Sequence, residues 1–391
     1  MQRRAIVRLL GGGVVLGAGI AGCSADMPAD AVAAWSAAGR DEPAHADPRR
    51  WALSYAVLAP HSHNLQSWLV DLSQPGEIEL RCDLARLLPE TDPFSRQIMM
   101  SQGTFIELLD IALRERGQRA AITLFPQGAP GPQQLDARPV ARLRLTPDAS
   151  VARDPLFAQI TRRHTNRSVY EPQRPVPAAA WRAMSDAVGT SVAPALAFGH
   201  VGASQSELLA RHRALANEAW RIELSTARTF LESLKVMRVG AAEVAQHRDG
   251  LTLLDPMVVA LAKVGLFDRS RAPGPDSFAV KSQLKDFAQK MESTSAFLWL
   301  TSDGNQRATQ VDAGRAYARV QLAATAAGLA MQPLSQALQE YPEMAAPYAE
   351  VHRLLGARRP QQTVQMWARV GYAPDVGPAP RRGVPAHLLR A

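Results

Sequence analysis

Five consecutive residues, Arg163-His164-Thr165-Asn166-Arg167, constrain this chain more than any other stretch. They pack two guanidiniums and a hydroxyl together at the mouth of what reads as a second structural half. Arginine binds a phosphate bidentately. At a helix N-terminus the free amides and the helix dipole would add to that attraction. A solvated polar face is the plainer alternative. Two further stretches favour a ligand: Pro60-His61-Ser62-His63-Asn64-Leu65-Gln66-Ser67-Trp68, and the tail from Arg369-Val370-Gly371-Tyr372-Ala373-Pro374 to Arg381-Arg382.

Composition narrows the classes. With 391 residues, 47% hydrophobic and 20% charged, the chain is globular and long enough for one large core or two. The net charge of +8 comes from scattered basic residues without interleaved aromatics, which argues against a nucleic-acid partner and is compatible with anionic ligands. Arg3, Arg4 and Arg8 precede a Gly-rich apolar run, as in a twin-arginine export signal, although Gln2 stands where Ser or Thr is usual. Ile20-Ala21-Gly22-Cys23 resembles a lipobox, with Cys23 as the lipidated residue; ordinary cleavage nearby is the alternative. Residues 1–23 therefore read as a signal peptide, and 24–48 as a flexible tether from the cell envelope. Membrane association is expected only through this N-terminal signal or lipid anchor. The glycines at 11, 12, 13, 17 and 19 mimic a dinucleotide fingerprint, but no strand precedes them. With Cys23 lipidated, Cys82 is the remaining thiol, so an intrachain disulfide is impossible.

The globular part starts near Arg49. Apolar spacing predicts a helix through Trp51, Tyr55 and Leu58, ended by Pro60, and a helix from Ser95 to Arg116. Strands are expected at 68–70, 77–82, 121–125 and 140–145. In the second half, helices are predicted at 178–188, 204–234 and 306–330, and strands at 196–201, 297–301 and 364–371. Residues 236–282 read as an insertion, a lid or an exchanged arm. The halves divide as 49–150 and 151–391.

Together, R-x-T-x-R at 163–167, PHSHNLQSW at 60–68, Gly328-Leu329 and the GYAP…PRR tail resemble the nitroreductase family, and in particular its Acg-like branch, whose single chains hold two nitroreductase-like halves. The resemblance covers roughly residues 50–385. It implies an α+β fold forming a monomeric pseudo-dimer, with FMN between the halves and hydride passing through it to an electron-poor small molecule. By the same resemblance, Arg163 and Thr165 would hold the FMN phosphate, and Arg167 would lie near the pyrimidine edge. Pro60, Ser62, Asn64 and Gln66 match the P-S-S-x-N-x-Q-P-W loop, departing from it at His61 and Ser67. Gly328-Leu329 would offer a backbone amide to the flavin, and Arg381 and Arg382 would close over the phosphate. No side chain need act as nucleophile. The reductant, NAD(P)H or another, is not readable, since no Rossmann motif is present.

The anion cluster occurs in the second half and the Asn/Gln loop in the first, so one complete site, between the halves, is the expectation. Plainer readings stand beside it. His61 and His63 form an H-x-H pair without an evident third metal ligand. No G-x-S-x-G frames Ser62. Asn64 and Gln66 would equally serve to pin their loop to backbone. Trp68 reads as a core anchor, Arg381 and Arg382 equally as solvated, and the small residues of 306–330 as close packing. A flavin-sequestering protein without turnover is the alternative function.

Overall fold

The computed structural model describes residues 26–189 and 196–389. The expected leader, residues 1–23 with Cys23, lies outside the described residues. The elements run α1 (Ala29–Ala37), α2 (Pro48–Ala56), β1 (Trp68–Asp71), β2 (Glu77–Cys82), α3 (Arg96–Glu115), β3 (Gln118–Leu124) and β4 (Ala141–Pro147). They continue as α4 (Ala178–Gly189), β5 (Leu196–Val201), α5 (Ser206–Ser225), α6 (Ala227–Lys235), β6 (Met237–Val239), α7 (Gly240–His247), β7 (Leu251–Leu253) and α8 (Pro256–Lys263). The last are α9 (Phe278–Glu292), β8 (Ala296–Asp303), α10 (Arg307–Ala326), β9 (Ala330–Pro333), α11 (Ala345–Leu354) and β10 (Gln362–Gly371).

Two antiparallel four-stranded sheets result, in the orders β1-β2-β4-β3 and β5-β8-β10-β9. The mixed α/β architecture is the one expected. The first sheet buries one face: along β2, Ile78, Leu80 and Cys82 point inward, while Glu77 and Glu79 pair with Arg142 and Arg144 outside. The second is covered on both faces, so β8 is buried almost throughout and Phe297 and Trp367 stack in its core.

The helices α3 and α10 join the two halves. An added Cβ on Gly103 would lie 1.9 Å from the Val311 carbonyl oxygen, and one on Gly314 would lie 1.9 Å from that of Met100. The backbones therefore touch, and they do so reciprocally. Arg96, the first residue of α3, donates to the carbonyls of Gln365 and Leu338 in the second half, each at 2.8 Å. Arg307, the first residue of α10, donates to those of Phe94 (2.7 Å) and Gly131 (2.9 Å) in the first. Buried Glu107 on α3 binds Arg315 and Arg319 of α10. Small residues on α10 thus serve close packing. Behind them, the C-terminal tail crosses back: Val70 N–H donates to His387 O (2.8 Å) and Leu389 N–H to Val70 O (2.8 Å), which extends the edge at β1.

Three expectations change, and a fourth region gains detail. Residues 29–37 of the predicted tether are helical, with Ala31 and Trp35 buried. The predicted helix 204–234 breaks at Thr226, whose backbone is extended and whose hydroxyl bonds Ile222 O. The helix predicted to reach residue 330 ends at Ala326, and β9 follows. Finally, the region 236–282 has its own β6-β7 pair and an apolar core shared with α5, α6 and α9. It docks on the 60–68 loop through Gly250 N–H to Asn64 O (3.1 Å), and through Arg86, which pairs across the contact with buried Asp249.

Candidate functional site

The loop after α2 holds a strained path. His63, Asn64 and Gln66 all have positive φ (49°, 54° and 55°), a conformation that costs a side-chain-bearing residue free energy unless its surroundings fix it. Several bonds do so. Thr104 Oγ1 donates to Pro60 O (2.7 Å), and Ser62 N–H donates to Ser101 Oγ (3.1 Å). Ser67 N–H donates to His61 Nε2 (3.0 Å), which leaves Nδ1–H to donate to Ser62 O (2.7 Å). Both ring nitrogens of His61 are therefore committed within the loop, and burial pushes its pKa down to about 3. His63 is pushed down to about 4, by burial first and then by the charge of Arg167.

Asn64 and Gln66 face the tail. Asn64 Nδ2 donates to Pro380 O (3.0 Å) and its Oδ1 accepts from Arg381. Fully buried Gln66 accepts from Arg382 N–H (2.9 Å) and donates to Arg248 O (2.9 Å). Their amides pin the loop to the tail and the inserted region, so the pinning reading describes them better than a cofactor contact. Ser62 is half-buried, its hydroxyl 3.3 Å from His63 Nδ1.

Across from this loop lies the cluster 163–167. It does not open a helix; it follows the short 3-10 turn Pro155–Gln159, so the anion-attracting donors are side chains. Asn166 fastens it, with N–H to Met331 O (3.0 Å) and Nδ2 to Pro374 O (2.7 Å). Arg163, 1% exposed, donates to Leu58 O (2.9 Å) and Gln321 Oε1 (3.1 Å). Arg381, 4% exposed, donates to Ala59 O (3.0 Å) and to Asn64. Neither has a carboxylate partner among the described residues, and the Nε–H of each is buried without an acceptor. Desolvation pushes Arg163 down to about 10; desolvation and then the Arg163 charge push Arg381 down to about 9. His164 adds a buried, unpartnered Nε2, and the buried Tyr317 hydroxyl, electrostatically coupled to Arg163 and Arg167, is unpartnered too.

Arg167 makes no side-chain hydrogen bond or ion pair with the described residues. It is exposed, and desolvation lowers its pKa. Thr165 is half-buried and its hydroxyl is unbonded among the described residues. Arg382 departs from expectation: it clamps the loop through Gln66 O instead of joining Arg163. Gly328 and Leu329 depart further. Gly328 (φ 70°) donates to Thr325 O (3.0 Å) and Leu329 to Ala324 O (2.9 Å), the two bonds of a Schellman cap, so both amides are spent on the end of α10.

The structure thus brings Arg163 and Arg381 together against the Leu58–Asn64 stretch, with His63 near Arg167. Sequence reasoning missed His164, Tyr317 and Trp35, whose ring covers the two guanidiniums. His164 lay inside the flagged motif; no signal marked the other two.

A family model described as the nitroreductase family matches residues 160–372, more than half of the chain. Two curated Mycobacterium tuberculosis proteins named "Putative NAD(P)H nitroreductase" are each 27% identical over 360 residues, covering 87% of this chain and 92% of theirs. Among solved structures, an FMN-dependent nitroreductase from Mycobacterium smegmatis in complex with NADPH aligns at 19% identity and TM-score 0.37, over 60% of this chain and 96% of that one. A nitroreductase with bound FMN from Bacteroides fragilis aligns at 15% identity and TM-score 0.33, over 59% and 95%.

Proposed function

The chain belongs to the nitroreductase family, and from that premise we propose that it is an FMN-dependent oxidoreductase with one flavin site between its two halves. The observation that carries this reading is the pair of buried donors without acceptors among the described residues, Arg163 Nε and Arg381 Nε. An uncompensated buried charge costs about 3–5 kcal/mol, so a site with two of them is built for an anion. A phosphate fits that chemistry.

In this reading Arg163 and Arg381 hold the phosphate, and the Thr165 hydroxyl is free to donate to it. Arg167 presents a cation where negative charge on a reduced ring needs offsetting. Neutral His61 and its hydrogen bonds keep the facing loop in place. When bound, FMN supplies the redox chemistry, taking two electrons from a donor and passing them to an acceptor. A nicotinamide donor is supported by the names of the curated relatives. An electron-poor nitro or quinone compound is the proposed acceptor. Purified protein should be yellow, bleach with NAD(P)H and recover its colour when a nitroaromatic is added.

The docking of residues 236–282 over the 60–68 loop favours a second reading, in which the flavin is sequestered. Bound flavin that no donor bleaches would select it. Export is proposed from Arg3-Arg4 and lipidation from Cys23. Replacing both arginines by Lys should hold the protein in the cytoplasm, and envelope localisation of that variant would refute the twin-arginine route. Among the described residues, no helix is long and apolar enough to cross a membrane.

A further inference from the structure

The N-terminal strap supplies an inference that rests on the flavin reading above. Helix α1 is held at both ends of its buried face. Arg381 N–H donates to Ala31 O (2.9 Å), and Trp35 Nε1 donates to Ala379 O (2.8 Å). Beyond the helix the chain turns at Gly39 (φ 70°), where an added Cβ would stand 2.0 Å from Tyr55 Oη. The Gly39 amide donates to Ser54 Oγ (3.0 Å) and its carbonyl accepts from Trp51 Nε1 (3.2 Å), tying the strap to α2.

This places Trp35, 8% exposed, over the cationic pair. Its ring centroid lies 5.4 Å from the Arg381 guanidinium carbon, 5.8 Å from that of Arg163 and 5.0 Å from the His164 ring. The separations distinguish a lid from a plug. The other arginine–ring pairs among the described residues run from 3.5 Å (Arg174 on Tyr372) and 3.9 Å (Arg369 on Tyr170) out to 5.3 Å (Arg228 on Tyr341). Trp35 stands farther from its two cations than any of these pairs, though still within cation–π reach. Its electron-rich face favours the two cations, while the Nε–H of each and the His164 Nε2 remain buried beneath it without partners. The pair is covered but not satisfied.

We propose that Trp35 is a lid on the phosphate end of the cofactor site, closing over bound FMN, keeping water from the arginine–phosphate contacts and slowing release. Water exclusion strengthens those contacts by lowering the local dielectric. Trp35 is a retaining residue, outside the redox chemistry.

The test is flavin release from the full-length chain, followed by recovery of free-flavin fluorescence, with FMN and riboflavin compared. Trp35→Ala should release FMN at least about ten-fold faster, the scale of a desolvated cation–π contact, and leave riboflavin, which lacks the phosphate, nearly unchanged. Trp35→Phe should restore slow FMN release. Should Trp35→Ala fail to fold, Trp35→Leu keeps apolar bulk without the ring quadrupole and should still release FMN faster. Unchanged FMN release from a folded variant would overturn the lid, as would equal loosening of both flavins. Tighter FMN binding without Trp35 would show it to be a plug. A native chain that takes up no flavin would refute the cofactor reading itself, an outcome distinct from the others.

Discussion

Helices α3 and α10 are near mirror roles of one another, whereas the loops that follow them in space are not. Each helix has twenty residues, opens on a buried arginine that bonds carbonyls of the opposite half, and presents a glycine to the backbone of its partner. The cation cluster, by contrast, belongs to the second half and the left-handed Asn/Gln loop to the first. Correspondence persists where the halves must pack and disappears where a ligand would sit. Packing two similar halves rewards a repeated solution; a single site between them needs complementary parts.

The largest effect should come from breaking the helix crossing. Gly103→Ala and Gly314→Ala each drive a methyl into a backbone oxygen, so each should lower stability by about 3 kcal/mol or more, at or above the usual overpacking range. Denaturant unfolding should give similar values for the two. A tolerated Gly314→Ala beside a disruptive Gly103→Ala would end the claim of equivalence.

The site should behave oppositely. Arg163→Met removes a buried charge that lacks a counter-ion, so the flavin-free protein should be unchanged or more stable, by up to about 3 kcal/mol. FMN affinity should nevertheless fall by roughly 1.5–3 kcal/mol, the worth of a charge-assisted hydrogen bond. Thermal melts with and without FMN check both signs. Gln66→Leu should cost about 1–3 kcal/mol, because the buried Arg382 amide loses its acceptor, and the loss should appear as faster hydrogen exchange in the tail.

Acid should also act through the first half's loop. His61 and His63 titrate near 6.5 when unfolded and are lowered to about 3 and about 4 by burial. Between those values the unfolded chain binds more protons, so their contribution to stability is complete above pH 6.5 and is lost as pH falls toward 4. Asp92 and Glu223, raised by burial to about 6 and about 7, oppose that slope. His61→Gln should flatten the acid limb by up to about 1.4 kcal/mol per pH unit. The smallest effect is expected at Gly328. Ala there should cost about 1 kcal/mol for its left-handed backbone, with FMN affinity untouched; weakened flavin binding would restore the amide contact that the helix cap displaces.

What could be read from the sequence follows the same division. The sheets and long helices were legible because their apolar spacing is local, as along Ile98, Phe105, Leu109 and Leu113. Arg163 and the 60–68 loop were legible as a juxtaposition, although the absence of a helix start at Arg163 was not. Trp35 was hidden in an Ala-rich stretch that reads as linker, since what buries it lies at Ala379 and Arg381, far along the chain. Arg381 and Arg382 are adjacent in sequence, and their separate tasks are set by a tail crossing that no periodicity encodes. Thr226 interrupts a helical pattern with one extended residue, too small a signal to see in advance.

The central claim is that the two halves contribute unlike parts to one flavin site. Titrating flavin-free, full-length protein with FMN, by calorimetry or fluorescence quenching, measures it most directly. The account predicts saturation at one FMN per chain, abolished or strongly weakened when Arg163 and Arg381 are both replaced by Ala. Saturation at two per chain, or full binding by the double variant, would contradict it.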